Sequence, residues 1–162
     1  ALYGPGDLRF LPLFRAARRG LVVLPGTARS TSLASGVDCA EALCALLVSS
    51  QPTGRVYAVD DGPAWPVVEL AARVGEAVGC RPRTLRVPTP VLWGAALASE
   101  GLAVLARREP ALTRDKVRDL CGRHWVASSG SLREEIGWRP TTSFGQEAGV
   151  IAAAFRERGL LR

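Results

Sequence analysis

Tyr3-Gly4-Pro5-Gly6-Asp7, preceded only by Ala1-Leu2, is the stretch on which the reading of the fold turns. Gly4 and Gly6 let the backbone approach a neighbour closely, and Pro5 between them stiffens the turn. No third glycine follows at the spacing of a Gly-x-Gly-x-x-Gly phosphate cradle, so the turn does not wrap a pyrophosphate by itself. The 162 residues contain no methionine. A chain opening directly on such a turn is expected to be the downstream piece of a larger protein.

Outward from the turn, hydrophobic spacing predicts a helix from Leu8 to Arg19, stopped by Gly20. Leu21 to Leu24 reads as a strand ended by Pro25-Gly26, and Arg29 to Ala34 as a second extended segment. Asp38 lies near the start of an apolar helix running to Val48, where a carboxylate suits the free amides of the first turn. Arg55 to Val59 is the clearest strand by pattern, closed by Asp60-Asp61-Gly62. Pro66 opens a helix that stops at Gly79. Thr84 to Val87 reads as a strand, and an apolar helix follows from Val91. Thr113 to Leu120 reads as a short charged helix and Trp125 to Ala127 as an extended piece. A helix from Ser131 to Ile136 has capping hydroxyls at Ser129 to Ser131, and Ser143 to Arg158 closes the chain as an amphipathic helix. Strands alternate with helices, an α/β arrangement with little sheet.

Composition is that of one folded domain, 48% hydrophobic and 22% charged. The net charge of +6 is almost all arginine, since Lys116 is the only lysine. The arginines are scattered, densest at Arg15/Arg18/Arg19, Arg81/Arg83/Arg86 and Arg107/Arg108, without the interleaved aromatics of a nucleic-acid stripe. No nucleic acid partner is therefore expected. Cys39, Cys44, Cys80 and Cys121 form no Cys-x-x-Cys pair, so no metal site is expected. Cys39 and Cys44 read as small core residues, and the pattern suits a reducing cytoplasm. His124, the only histidine, stands beside Arg123 and reads as an exposed side chain, not a general base. The apolar stretch from Val91 to Ala106, broken by Ser99 and Glu100, is short of a membrane span. It reads as a buried or ligand-facing helix, with peripheral membrane contact the alternative.

The order of these pieces resembles the C-terminal half of the extended short-chain dehydrogenase/reductases, the NAD-dependent epimerase/dehydratase group. Tyr3-Gly4-Pro5-Gly6-Asp7 is similar to that family's Val-Tyr-Gly-Pro-Gly-Asp turn. Ser32 to Ala40 (SLASGVDCA) resembles its strand-to-helix segment, and Gly54 to Gly62 (GRVYAVDDG) the strand before the next helix. Asp115-Lys116, Trp125-Val126 and Ile136-Gly137-Trp138-Arg139-Pro140 resemble its later landmarks. The resemblance covers essentially the whole chain. It implies the substrate-binding portion of a Rossmann-type fold, residues 1–162, with a few short strands and about six helices. The dinucleotide-binding half would be absent from this segment.

The same resemblance implies NAD or NADP as cofactor of the intact parent, a small-molecule substrate, and a homodimer of the parent as a further partner. It places Tyr3, Gly4 and Pro5 beside the cofactor, and Gly6, Asp7, Leu8, Phe10, Arg29, Leu85, Leu92 and Trp93 around the substrate. No catalytic residue is assigned. The only tyrosines are Tyr3 and Tyr57, each followed four residues on by an aspartate, so no Tyr-x-x-x-Lys pair exists and this segment alone should not transfer hydride. Ser35 stands where the family has a histidine, and Thr31 where nucleotide-sugar members have a diphosphate-binding arginine. Arg29, two residues earlier on the same strand face, is the substitute. The apolar run from Pro88 to Ala106 points either to a less polar substrate, sterol-like or flavonoid-like, or to core. Two other classes stay in view: a non-catalytic relative that senses a dinucleotide or docks a partner, and an arginine-driven anion-binding domain.

Overall fold

The computed structural model describes residues 1–27, 29–50, 54–110, 112–122 and 125–161. Its strands are β1 (Leu2–Tyr3), β2 (Leu21–Pro25), β3 (Ser30–Ser32), β4 (Ala34–Ser35), β5 (Ala64–Pro66) and β6 (Arg83–Val87). The helices are α1 (Leu11–Arg18), α2 (Gly36–Leu47), α3 (Val67–Val78), α4 (Thr89–Ala106), α5 (Arg114–Cys121), α6 (Gly130–Glu135) and α7 (Phe144–Glu157). The strands form three two-stranded ladders: β1 with β4 and β2 with β6, both parallel, and β3 with β5, antiparallel. The α/β class expected from the sequence is what the chain adopts.

The predicted first helix is split. A 3-10 turn over Leu8–Phe10 is capped by Asp7, whose carboxylate accepts from the Arg9 amide at 2.9 Å, and α1 continues from Leu11. Gly20 and Gly79 end their helices at φ of 80° and 74°, the left-handed region where glycine carries no Cβ penalty. Gly75 is needed for a different reason: a Cβ there would lie 2.3 Å from Pro82 Cδ and 2.7 Å from the Cys80 carbonyl oxygen.

The main core lies between α1, α3 and α7, where Phe14, Val74, Phe144, Ile151 and Phe155 are essentially inaccessible. Phe14 and Phe155 meet edge to face at 5.3 Å, and buried Ala17, Ala71, Ala148 and Ala152 let the helices close on one another. Each such aromatic contributes on the order of 2–3 kcal/mol by burial, so the three helices are the most strongly held part of the molecule.

Several sequence expectations are corrected. Arg55 to Val59 is not a strand: among the described residues its backbone has no ladder partner, and Val56 is fully exposed. The segment is held by side chains instead, with Tyr57 and Arg55 both donating to Glu135 on α6. Cys44 is exposed and Cys39 only half-buried, so neither is an enclosed core residue. The cap of α2 is Ser35, whose hydroxyl accepts from the Val37 amide at 3.2 Å. Asp38 turns away from its own helix. It is fully buried and accepts from Thr141 N (2.9 Å), Thr141 Oγ1 (2.8 Å), Thr142 N (3.4 Å) and Thr142 Oγ1 (2.5 Å), tying α2 to the segment before α7. The Ser129 side chain caps nothing, because its hydroxyl donates to Asp60. Finally, α4 starts at Thr89, two residues earlier than expected, and at 18 residues is long and apolar enough to cross a membrane by length and composition alone. His124 lies outside the described residues.

Candidate functional site

Two places matter: the turn after β1 and an apolar cavity under Arg29. In the turn, Gly4 carbonyl oxygen accepts from the Asp7 amide at 3.1 Å, closing the loop. Tyr3 does not present its ring outward. It is buried, its hydroxyl donates to Asp61 Oδ2 at 3.3 Å, and its ring packs edge-on to Phe144 at 5.3 Å. Asp61 is buried too, and accepts further from Trp65 Nε1 at 3.2 Å and the Phe144 amide at 2.8 Å. Burial pushes the Tyr3 hydroxyl well above the ordinary tyrosine range and raises the Asp61 carboxyl despite its donors. Tyr3 is therefore an anchor, tied by its hydroxyl to Asp61 and by its ring to Phe144.

Gly4, Pro5 and Gly6 stay at the surface, and a Cβ built on either glycine would meet nothing within 4 Å. The turn thus offers open backbone to a ligand while Tyr3 holds it from beneath. Asp7 is engaged twice, as cap of the 3-10 turn and as partner of the Arg9 guanidinium at 2.9 Å, which lowers its carboxyl pKa. Leu8 is exposed, whereas Phe10 stacks obliquely on Phe144 at 5.6 Å and belongs to the core margin.

The cavity, about 320 Å³, is lined mainly by Leu13 from α1, Val23 and Leu24 from β2, Val67 and Leu70 from α3, and Leu120 and Trp125. Arg29, Ser30, Thr31 and Asp119 supply its polar edge. An adjoining cavity of about 180 Å³ shares Leu24, Arg29 and Val67, and adds Thr27 and Arg86. Arg29 therefore borders both. Its Nε donates to Thr27 Oγ1 at 2.9 Å, and among the described residues no carboxylate pairs with its guanidinium. Trp125 reaches the cavity because its segment runs beside β3. Ser32 N donates to the Trp125 carbonyl at 2.7 Å, and Ser32 Oγ both donates to the Ala127 carbonyl and accepts from its amide.

The remaining predicted residues separate from this cavity. Leu85, on β6 opposite Val23, is half-exposed. Leu92 and Trp93 pack with Ala96 and Val117 in the seam between α4 and α5. Of the substrate residues named from sequence, only Arg29 lines this cavity, while Leu13, Val67 and Trp125 were missed. They come from three distant segments, and no local spacing marks them as neighbours. Among the described residues no group of His, Cys, Asp or Glu side chains is placed to hold a metal. What the arrangement can do is bind an apolar body and pair with an anionic group at Arg29.

No family model matches the chain. It is 29% identical over 141 residues to the ceramide reductase of Caulobacter vibrioides, covering 84% of this chain and 43% of the relative. It is 30% identical over 151 residues to the 2-alkyl-3-oxoalkanoate reductase of Stenotrophomonas maltophilia, covering 88% of this chain and 45% of that one. The chain thus spans less than half the length of the curated relatives it matches. Among solved structures, that of gox2253 superposes over the whole chain with a TM-score of 0.69 at 21% identity, covering 48% of that protein. The structure of RMD from Pseudomonas aeruginosa, complexed with NADPH, matches 97% of this chain and 45% of that one, with a TM-score of 0.63 at 17% identity. In sequence and in fold the chain is similar to the extended short-chain dehydrogenase/reductases, the NAD-dependent epimerase/dehydratase group.

Proposed function

We propose that this chain is the substrate-side portion of an NAD(P)-dependent reductase acting on the ketone of an alkyl-bearing, acid-headed molecule. The observation that carries the reading is the cavity itself: an apolar wall of Leu13, Leu24, Val67 and Trp125, with Arg29 and Asp119 on its polar edge and no carboxylate paired with the Arg29 guanidinium among the described residues. A hydrocarbon chain gains from that wall by burial, and a carboxylate gains from a charge-assisted contact with Arg29. Both curated relatives are named as reductases, one of a 2-alkyl-3-oxoalkanoate and one of ceramide.

In this reading the cofactor, held by a dinucleotide-binding half, supplies the hydride, and the acid that protonates the product oxygen also stands on that half. The present residues bind and orient. The turn at Gly4 to Gly6 closes one side of the site with backbone, the cavity fixes the alkyl body, and Arg29 sets which end of the substrate lies at the rim. Fixing the carbonyl within reach of the hydride donor is where such a wall contributes to rate. The free edge of β1, whose only ladder partner among the described residues is β4, supports a place for that half in the sheet.

The test is calorimetric titration of the chain with a long-chain 3-oxo acid and with its methyl ester. The acid is expected to bind more tightly, and Arg29→Ala to weaken it about ten- to a hundredfold while leaving the ester nearly unchanged. Equal loss for acid and ester, or no binding of either, would overturn the assignment.

A further inference from the structure

We propose that the outer face of α4 lies in the headgroup–acyl boundary of an anionic membrane, with arginines at both ends of the helix on lipid phosphates. The helix is built inside out. Its inner seam buries Leu92, Ala96 and Ala103, the first two packed with Val117 of α5, and its only charged side chain, Glu100, also turns inward with Ser99. Ser99 Oγ accepts from the Leu112 amide at 3.1 Å, while Glu100 accepts from the Arg114 amide and from Arg114 Nε, each at 2.8 Å. The opposite face, centred on Leu97, Leu102, Val104 and Leu105, carries no polar side chain and is 54–84% exposed. A helix apolar all round calls for an apolar partner on each face, and the described residues supply one of the two.

Charge selects the second partner. Between residues 81 and 109 there are five exposed arginines, Arg81, Arg83 and Arg86 before the helix and Arg107 and Arg108 after it, against two acids, Glu100, already held by Arg114, and Glu109. A second copy stacked on this face, parallel or antiparallel, would bring arginines against arginines at both ends. An anionic lipid surface satisfies both ends at once. A crossing orientation is opposed by the ties of Ser99 and Glu100 to the start of α5, which hold the helix flat against its neighbour. The same α5 lines the cavity through Asp119 and Leu120, so a membrane-seated α4 would bring that cavity close to the lipid surface.

Vesicle binding needs no turnover, so the proposal stands or falls apart from the reductase reading. The experiment is flotation of the chain with phosphatidylcholine vesicles and with vesicles containing 30% phosphatidylglycerol. Binding is expected to the anionic vesicles, weakening as salt rises. Leu102→Gln/Leu105→Gln should lower the partition at least about tenfold, and Arg107→Gln/Arg108→Gln about tenfold, with circular dichroism unchanged. Leu47→Gln/Val48→Gln, at the exposed end of α2, should leave it as it was. Absence of binding to anionic vesicles at low salt, equal loss in the α2 variant, or a dimer abolished by the Leu102/Leu105 pair in the absence of vesicle binding would each overturn the proposal.

Discussion

Replacing Asp38 by alanine should cost the fold about 3 kcal/mol, most of it through contacts more than a hundred residues away in sequence. The carboxylate is inaccessible and accepts four hydrogen bonds from Thr141 and Thr142. Bonds to a charged acceptor contribute roughly 1.5–3 kcal/mol each, which would give an implausibly large total if summed. Thr141 is exposed, so water recovers its donors once the carboxylate is gone, and the 3.4 Å contact from Thr142 N is weak. About two effective bonds remain, hence about 3 kcal/mol, or close to 10 °C in Tm for a domain of this size. Urea unfolding followed by far-ultraviolet circular dichroism reads it, and a double-mutant cycle with Thr142→Val should show coupling of at least about 1 kcal/mol. Burial by itself pushes the Asp38 pKa up, but the threonine hydroxyls and amides outweigh it, so the folded pKa lies below the ordinary 3.8. The stabilisation is therefore complete above that value and is lost as pH falls through the lower, folded one. The gap between wild type and variant should narrow over that acid range and be flat at neutrality. A cost below about 1 kcal/mol, or strict additivity with Thr142→Val, would refute the account.

Gly75→Ala sets two effects against each other: helix propensity favours alanine by about 1 kcal/mol. The 2.3 Å and 2.7 Å approaches to Pro82 and the Cys80 carbonyl oppose it, and the second is unyielding backbone. The expected result is a net loss of about 2 kcal/mol in chemical denaturation, and a neutral or stabilised variant would show that the 79–82 turn moves aside. Asp61 behaves oppositely to Asp38, because its folded pKa is raised by burial. Its favourable share is largest below the unfolded value and is lost as pH rises through the folded one. The stability of wild type relative to Asp61→Asn should accordingly fall as pH is raised from about 3 toward 7, and a rise would refute the assignment.

The parts of the fold readable in advance are those written locally. Gly20 and Gly79 stop their helices where the spacing says they do, Leu21–Pro25 and Arg83–Val87 are strands, and α7 keeps its amphipathic limits nearly to the residue. Misreadings arise where a long-range partner decides. Arg55 to Val59 has the composition of a strand, but a strand requires a neighbour, and this segment finds Glu135 side-chain contacts in place of a ladder. Asp38 has the right position for a helix cap, yet Thr141 and Thr142 claim it while Ser35 does the capping. The site shows the same division. The turn at Tyr3 to Asp7 was visible as a motif, but that Tyr3 is an anchor held by Asp61 follows only from tertiary contact. Arg29 stands out in the sequence as an arginine on a strand face, but that it borders an apolar cavity follows only from tertiary structure, since Trp125 joins that cavity through the pairing of its segment with β3.

The position of α7 in the main core has a consequence for synthesis. Phe14 and Val74 lie on helices made early, but the side chains that enclose them, Ile151 and Phe155, come from the last helix of the chain. On a ribosome adding roughly 5–20 residues per second, α1 would wait on the order of ten seconds for its cover. During that interval its apolar stripe, with the face of α3, is open to any other nascent chain or chaperone nearby. Codon choice between these helices, which leaves the finished molecule untouched, would thus set how long that vulnerable interval lasts.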